Sequence, residues 1–244
     1  MIDPRIAERR RTVIESGARR GVRRAIALLA GVSLVAALIW VLQSPWLSVH
    51  EIVLTGSNRP DVREAISTAG LEEGTPLVLV RTEEVEAELE ALPWVRSASV
   101  QRFFPDRVEI AIDQRDAVAW LWTSGSFAAL DVEGVVLEYV STLAEGAPVL
   151  QFATRRLEPG EIHSDPLVLG GLQFFATLDG SLPGFELREE VGEVWGMVDG
   201  HEVRLGRPVD MPAKAAALIA VLADEVPAGS SINLIAPTRP AVTP

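Results

Sequence analysis

LPWVRSASVQRFFPDRVEIAIDQRDAVAW, residues 92–120, decides how the middle of this chain folds. Pro93 stops a preceding helix, because its ring clashes with the turn before it and it has no N–H to donate. Val95 to Arg102 reads as a strand, Phe103-Phe-Pro-Asp106 as a turn, and Arg107 to Arg115 as the antiparallel partner. In that partner Val108, Ile110 and Ile112 alternate with Glu109, Ala111 and Asp113. The period of two predicts one buried face and one wet face.

Reading back toward the amino terminus, Thr82 is expected to cap a helix whose apolar seam is Val85, Leu89 and Leu92. Its other face is nearly all Glu (83, 84, 86, 88, 90), which reads as a solvated surface. Before it, Val62, Ala65, Ile66 and Ala69 fall at the spacing of one helical face, after Ser57-Asn-Arg-Pro60 and before Gly70. Val49 to Thr55 is a β-branched run with Ile52 and Leu54 on one side, closed by Gly56. The order is strand, helix, helix, strand, strand, enough to close a modest core with two helices on one face of a small sheet.

Further upstream stands AIALLAGVSLVAALIWVL, Ala25 to Leu42, without a charge. As a helix it is ~27 Å long, sufficient to cross a bilayer core. Trp40 and Trp46 bracket its outer end, where amphipathic rings favour the headgroup layer. The run is too long for a signal peptide, and no Ala-x-Ala pattern follows it, so a retained single-pass anchor is predicted. Residues 1–24 hold eight Arg against Asp3, Glu8 and Glu15, a net 8 − 3 = +5. The rest of the chain is (22 − 8) − (34 − 3) = −17. Basic flanks stay inside, so the amino terminus is expected in the cytoplasm and the acidic part outside. That acidity argues against nucleic acid as a partner.

At residues 92–120 the chain carries a resemblance. The run Leu-Pro-Trp-Val … Val-x-Arg-x-x-Pro-Asp-x-Val-x-Ile-x-Ile-x-x-Arg-x-Ala-Val-Ala-Trp, following an Arg-rich tail, one span and VHEIVLTG, resembles the POTRA domain of the FtsQ/DivIB family of bacterial cell-division proteins. Downstream, Ala128 to Tyr139 reads as a hairpin around Val132-Glu-Gly134, and it resembles the opening of that family's second, β-rich domain. Ala147 to Leu150 is a short extended piece. Pro166 opens a helix to about Thr177 with Val168, Leu172 and Phe175 on one side, where Gly170-Gly171 reads as close packing. Glu193–Val198 and His201–Leu205 flank Asp199-Gly200, a two-residue hairpin signal. Asp210 then caps a helix striped with Met211, Ala215, Leu218 and Leu222, and Lys214 stands where the family usually carries Lys.

The fold class that follows is α+β. It comprises a transmembrane helix, a POTRA domain, and a β domain with a mainly antiparallel sheet and two packed helices. The divisions are a basic tail at 1–24, the span at 25–43, the POTRA domain at 48–115, the β domain at 116–236 and a tail at 237–244. Ser231, Ile232, Asn233, Leu234, Ile235 and Ala236 are read as a chain-terminal edge strand that a partner could extend. Pro237 and Pro240 are read as the end of that strand. Ile232, Leu234 and Ala236 are assigned one face. The family commonly carries Asp where Asn233 stands, which puts any contact made by that carboxylate in doubt. Ala25, Leu42, Trp40 and Trp46 mark the anchor.

Little suggests catalysis. The chain has no cysteine, so thiolate chemistry and disulfides are excluded. His50, His163 and His201 lie far apart in sequence without a metal-ligand spacing, and no Walker loop or Gly-x-Ser-x-Gly elbow occurs. No cofactor, metal, nucleic acid or small-molecule substrate is expected. The resemblance implies a non-enzymatic divisome scaffold in the cell membrane at the division septum. Its implied partners are FtsB/DivIC-type and FtsL-type proteins, linked to the septal wall synthase. The alternative is a membrane-anchored envelope enzyme or peptidoglycan-binding module.

Overall fold

The computed structural model describes residues 26–41, 44–224 and 226–244. Helix α1 is described over residues 26–41, and its side chains are uncovered: Leu28 is 70% exposed, Leu34 73% and Trp40 76%. Ala25 and Leu42, the ends of the expected span, lie outside the described residues, as does the basic tail. Among the described residues no helix is long and apolar enough to cross a membrane.

After a 3₁₀ turn at Pro45–Leu47 come β1 (Glu51–Thr55), α2 (Pro60–Thr68), α3 (Thr82–Glu90), β2 (Val95–Phe103) and β3 (Arg107–Gln114). The strands form one sheet in the order β1-β3-β2, with β1 parallel and β2 antiparallel to β3. Val108 and Ile110 are fully buried, and Ile112 nearly so. Val62, Ala65 and Ile66 from α2 and Val85 and Leu89 from α3 close the same core. Pro60 starts α2 at the position where a missing N–H costs nothing. Trp94 is buried and donates its indole N–H to Asp61 at 2.8 Å.

The remaining strands are β4 (Ala119–Thr123), β5 (Ser126–Leu130), β6 (Val136–Val140), β7 (Val149–Gln151), β8 (Glu186–Glu190), β9 (Glu193–Val198), β10 (His201–Gly206), β11 (Ser231–Asn233) and β12 (Ala241–Thr243). They make one nine-stranded sheet, ordered β12-β11-β10-β9-β8-β7-β4-β5-β6. Five of its pairings are antiparallel and three (β4–β7, β7–β8, β10–β11) are parallel. Parallel neighbours need a crossover. Helix α4 (Pro166–Leu178) supplies the one between β7 and β8, and α5 (Met211–Leu222) the one between β10 and β11. Asp165 caps α4, accepting from the Leu167 N–H at 2.8 Å. The two helices pack together over a second core that includes Leu121, Leu150, Leu172, Phe174, Phe185 and Leu205.

The carboxy terminus departs from expectation. Residues 237–244 are not a plain tail, because Ala241–Thr243 returns as β12 and pairs with β11. Ser231–Asn233 is therefore an interior strand rather than the edge. β11 stops at Asn233, before either proline; Pro237 and Pro240 lie in the reversal between β11 and β12, in which the Arg239 N–H donates to the Ala236 carbonyl at 2.9 Å.

Candidate functional site

The corner of the large sheet is built from β10, β11 and β12. Asn233 ends β11 by folding its side-chain oxygen onto the Ile235 N–H at 3.1 Å, which turns the backbone out of the ladder. Ile232 and Leu234 are fully buried, whereas Ile235 is 45% exposed and Ala236 lies in the turn beyond the strand. Ala236 thus does not share their face. Of the six residues expected to form the edge, Ser231 and Asn233 are half-buried between β10 and β12. The outermost strand is β12, with Ala241, Val242 and Thr243 all exposed.

The opposite edge of the same sheet, β6, is covered. The Val136 N–H donates to Glu161 at 3.0 Å, Gly160 donates back to Val136 at 2.8 Å, and the Tyr139 hydroxyl reaches the Leu157 carbonyl at 2.6 Å. In the smaller sheet, β2 is guarded differently. Glu86 and Glu90 of α3 accept the backbone N–H groups of Val100 (2.7 Å) and Ala98 (3.1 Å). The sequence predicts a solvated surface for the acidic face of α3, yet two of its carboxylates occupy edge donors. Such guarding suppresses unwanted strand pairing. No comparable guard covers β12 among the described residues.

Where α1 meets the small sheet, Trp40 and Trp46, both expected as anchor marks, line one apolar cleft of about 1040 Å³. Chemistry-bearing side chains elsewhere are occupied structurally. His50 and His201 bond through Nδ1 to the carbonyls of Ser48 (2.8 Å) and Ser230 (3.3 Å). Burial pushes the His163 imidazole below its ordinary 6.5, with Asp165 opposing that shift. Burial likewise lowers Lys214, whose ammonium donates to the Arg207 carbonyl at 2.7 Å. Asp131, fully buried, accepts from the N–H groups of Glu133 and Val135 and from the Arg115 guanidinium at 2.6 Å. Among the described residues no cluster of His, Cys, Asp and Glu is arranged to hold a metal ion.

Residues 47–115 match the family POTRA domain, FtsQ-type. Along most of its length the chain is 32% identical to the cell division protein FtsQ of Streptomyces collinus, covering 93% of this chain and 89% of that protein. The chain belongs to the FtsQ/DivIB family. It is also 24% identical to the FtsQ of Corynebacterium glutamicum, over 88% of this chain and 97% of that one. A shorter match, 31% identical over 50% of the chain and 47% of the relative, is to the cell division protein DivIB of Brevibacillus brevis. The FtsQ-type match begins just after Trp46 and ends at Arg115, the residue that ties the small sheet to the β5–β6 turn through Asp131 and Glu133. Membership in FtsQ/DivIB thus rests on both sheets, since the Streptomyces collinus alignment extends over nearly the whole chain.

Proposed function

We propose that this chain is a non-enzymatic scaffold of the bacterial division machinery. It is held in the cell membrane by residues 25–43, with the amino terminus in the cytoplasm and both sheets outside. It binds other bitopic division proteins of the FtsB/DivIC and FtsL types, and through them reaches septal wall synthesis. Family membership supports the division role. The observation that carries the binding mode is the open β12 edge, on a sheet whose other edge is closed. A partner strand added at β12 would satisfy unpaired main-chain groups, and side chains would set specificity.

The segment Ser231–Ala236 enters this reading as support for β12. A proline at Asn233 would disturb an interior pairing, so the informative substitution lies further on. Val242→Pro keeps both cores, because Val242 is 41% exposed, but removes an N–H and stiffens the edge. Pull-down of FtsB/DivIC-type partners by the full chain should fall at least tenfold with Val242→Pro. Capture at the unsubstituted level, with circular dichroism unchanged, would move the site away from β12.

A further inference from the structure

Phe103 closes β2, Phe104 and Pro105 follow in the turn to β3, and packing within the chain leaves Phe104 largely and Phe103 partly uncovered. Phe104 is 64% exposed and Phe103 37% exposed. A tight turn between antiparallel strands ordinarily takes polar residues, so this composition calls for a reason. Its position supplies one. The Asp106 carbonyl accepts the N–H groups of His50 (2.9 Å) and Glu51 (3.3 Å), which fixes the turn beside the chain leaving α1. Pro105 and Asp106 line the same apolar cleft as Trp40 and Trp46, and Trp46 is 86% exposed.

Distance then limits what can cover these rings. Val49 is fully buried in the smaller core, and it follows Val41 by 49 − 41 = 8 positions. Eight residues span at most roughly 28 Å fully extended. The 3₁₀ turn at Pro45–Leu47 shortens that reach. If α1 sits in a bilayer, this end of the small sheet is kept at the bilayer surface. Charge favours the same orientation. The chain beyond residue 24 carries −17, so an anionic surface repels most of it. At the base of the turn, however, stand two guanidinium groups: Arg107 lies over the Phe103 ring (5.2 Å) and pairs with Glu109 at 2.9 Å, and Arg102 reaches the Val80 carbonyl (3.4 Å).

We propose that Phe103, Phe104 and Pro105, with Trp46, form a lipid-inserting wedge that seats the small sheet on the outer surface of the bilayer. The occupant of this apolar surface is the headgroup–acyl boundary. The rings enter it, while Arg102 and Arg107 stand at the depth of the phosphates. The wedge makes the membrane-proximal unit a fixed platform rather than a tethered one. This deepens the anchoring reading above and rests on it.

Because the chain has no cysteine, one introduced cysteine takes one nitroxide label. The full chain is reconstituted in vesicles of phosphatidylcholine and phosphatidylglycerol, with Phe104→Cys, Val35→Cys or Val191→Cys labelled in turn. Val191 is an exposed hairpin residue and serves as the aqueous reference. Collision with oxygen and with a water-soluble nickel complex gives the depth of each label. The label at 104 should favour oxygen and lie roughly 5–10 Å into the boundary, shallower than the label at 35. If 35 is deep and 104 is as open to nickel as 191, the anchor stands and the wedge is refuted. If 104 is shielded from both reagents, protein covers it and the lipid proposal fails. Nickel access at 35 overturns the anchor, and the wedge with it.

Discussion

At position 163 a histidine is buried in the loop that closes the β6 edge, donating its backbone N–H to the Gly134 carbonyl at 2.9 Å. Burial favours the neutral imidazole, so the folded chain holds a proton there less readily than the unfolded chain does. Above the ordinary value of 6.5 both states are neutral, and the site costs no stability. As the pH falls through 6.5 the unfolded state gains the proton first, and stability drops until the lowered folded value is passed. His163→Gln should flatten this acid-side loss. Thermal melts of the substituted and unsubstituted chain, taken above and below that value, check it; parallel losses would show that His163 is not the group responsible. His163 was legible only as a histidine without metal-ligand neighbours. Its burial arises from contacts between a loop and a strand that share no periodicity.

Among the elements, periodic segments were readable and short ones were not. The alternation Val108, Ile110, Ile112 and the helical seams of α2 and α3 reappear as buried faces, because each repeats often enough to outvote its local exceptions. The strands β4, β8 and β12 escaped the sequence reading. The signals were present: Ser124-Gly125 between β4 and β5, Val191-Gly192 between β8 and β9, and a β-branched pair after Pro240. At the β8–β9 turn the glycine is the whole signal, because Val191 occupies positive φ, where a β-branched residue is rare. The Gly170-Gly171 pair, in contrast, signals close packing from the sequence itself. A Cβ on Gly171 would stand 2.6 Å from a methyl of Leu150 and 3.2 Å from the Phe152 ring. Gly171→Val would therefore push α4 off the sheet and cost about 1–3 kcal/mol by overpacking. Chemical denaturation of the full chain in detergent measures this, and an unchanged midpoint would contradict the tight approach of α4.

For the whole molecule, the two sheets carry separate cores, bridged by Arg115 on Asp131 and by the exposed pair Arg59–Glu138 at 3.3 Å. Ile110→Asp places a carboxylate in the fully buried centre of the smaller core and should cost more than about 4 kcal/mol there. Limited proteolysis should then cleave within 48–115 while a fragment containing residues 116–236 persists. Simultaneous loss of both would mean that the sheets fold as one unit. The architecture suits the proposed scaffold: the larger sheet keeps one edge closed and one edge open. That account stands or falls on where the protein acts in the cell. A fluorescent fusion of the full chain, imaged in dividing cells, should form a band at midcell that sharpens as the septum closes. Even staining around the cell periphery, with no enrichment at the septum, would contradict it.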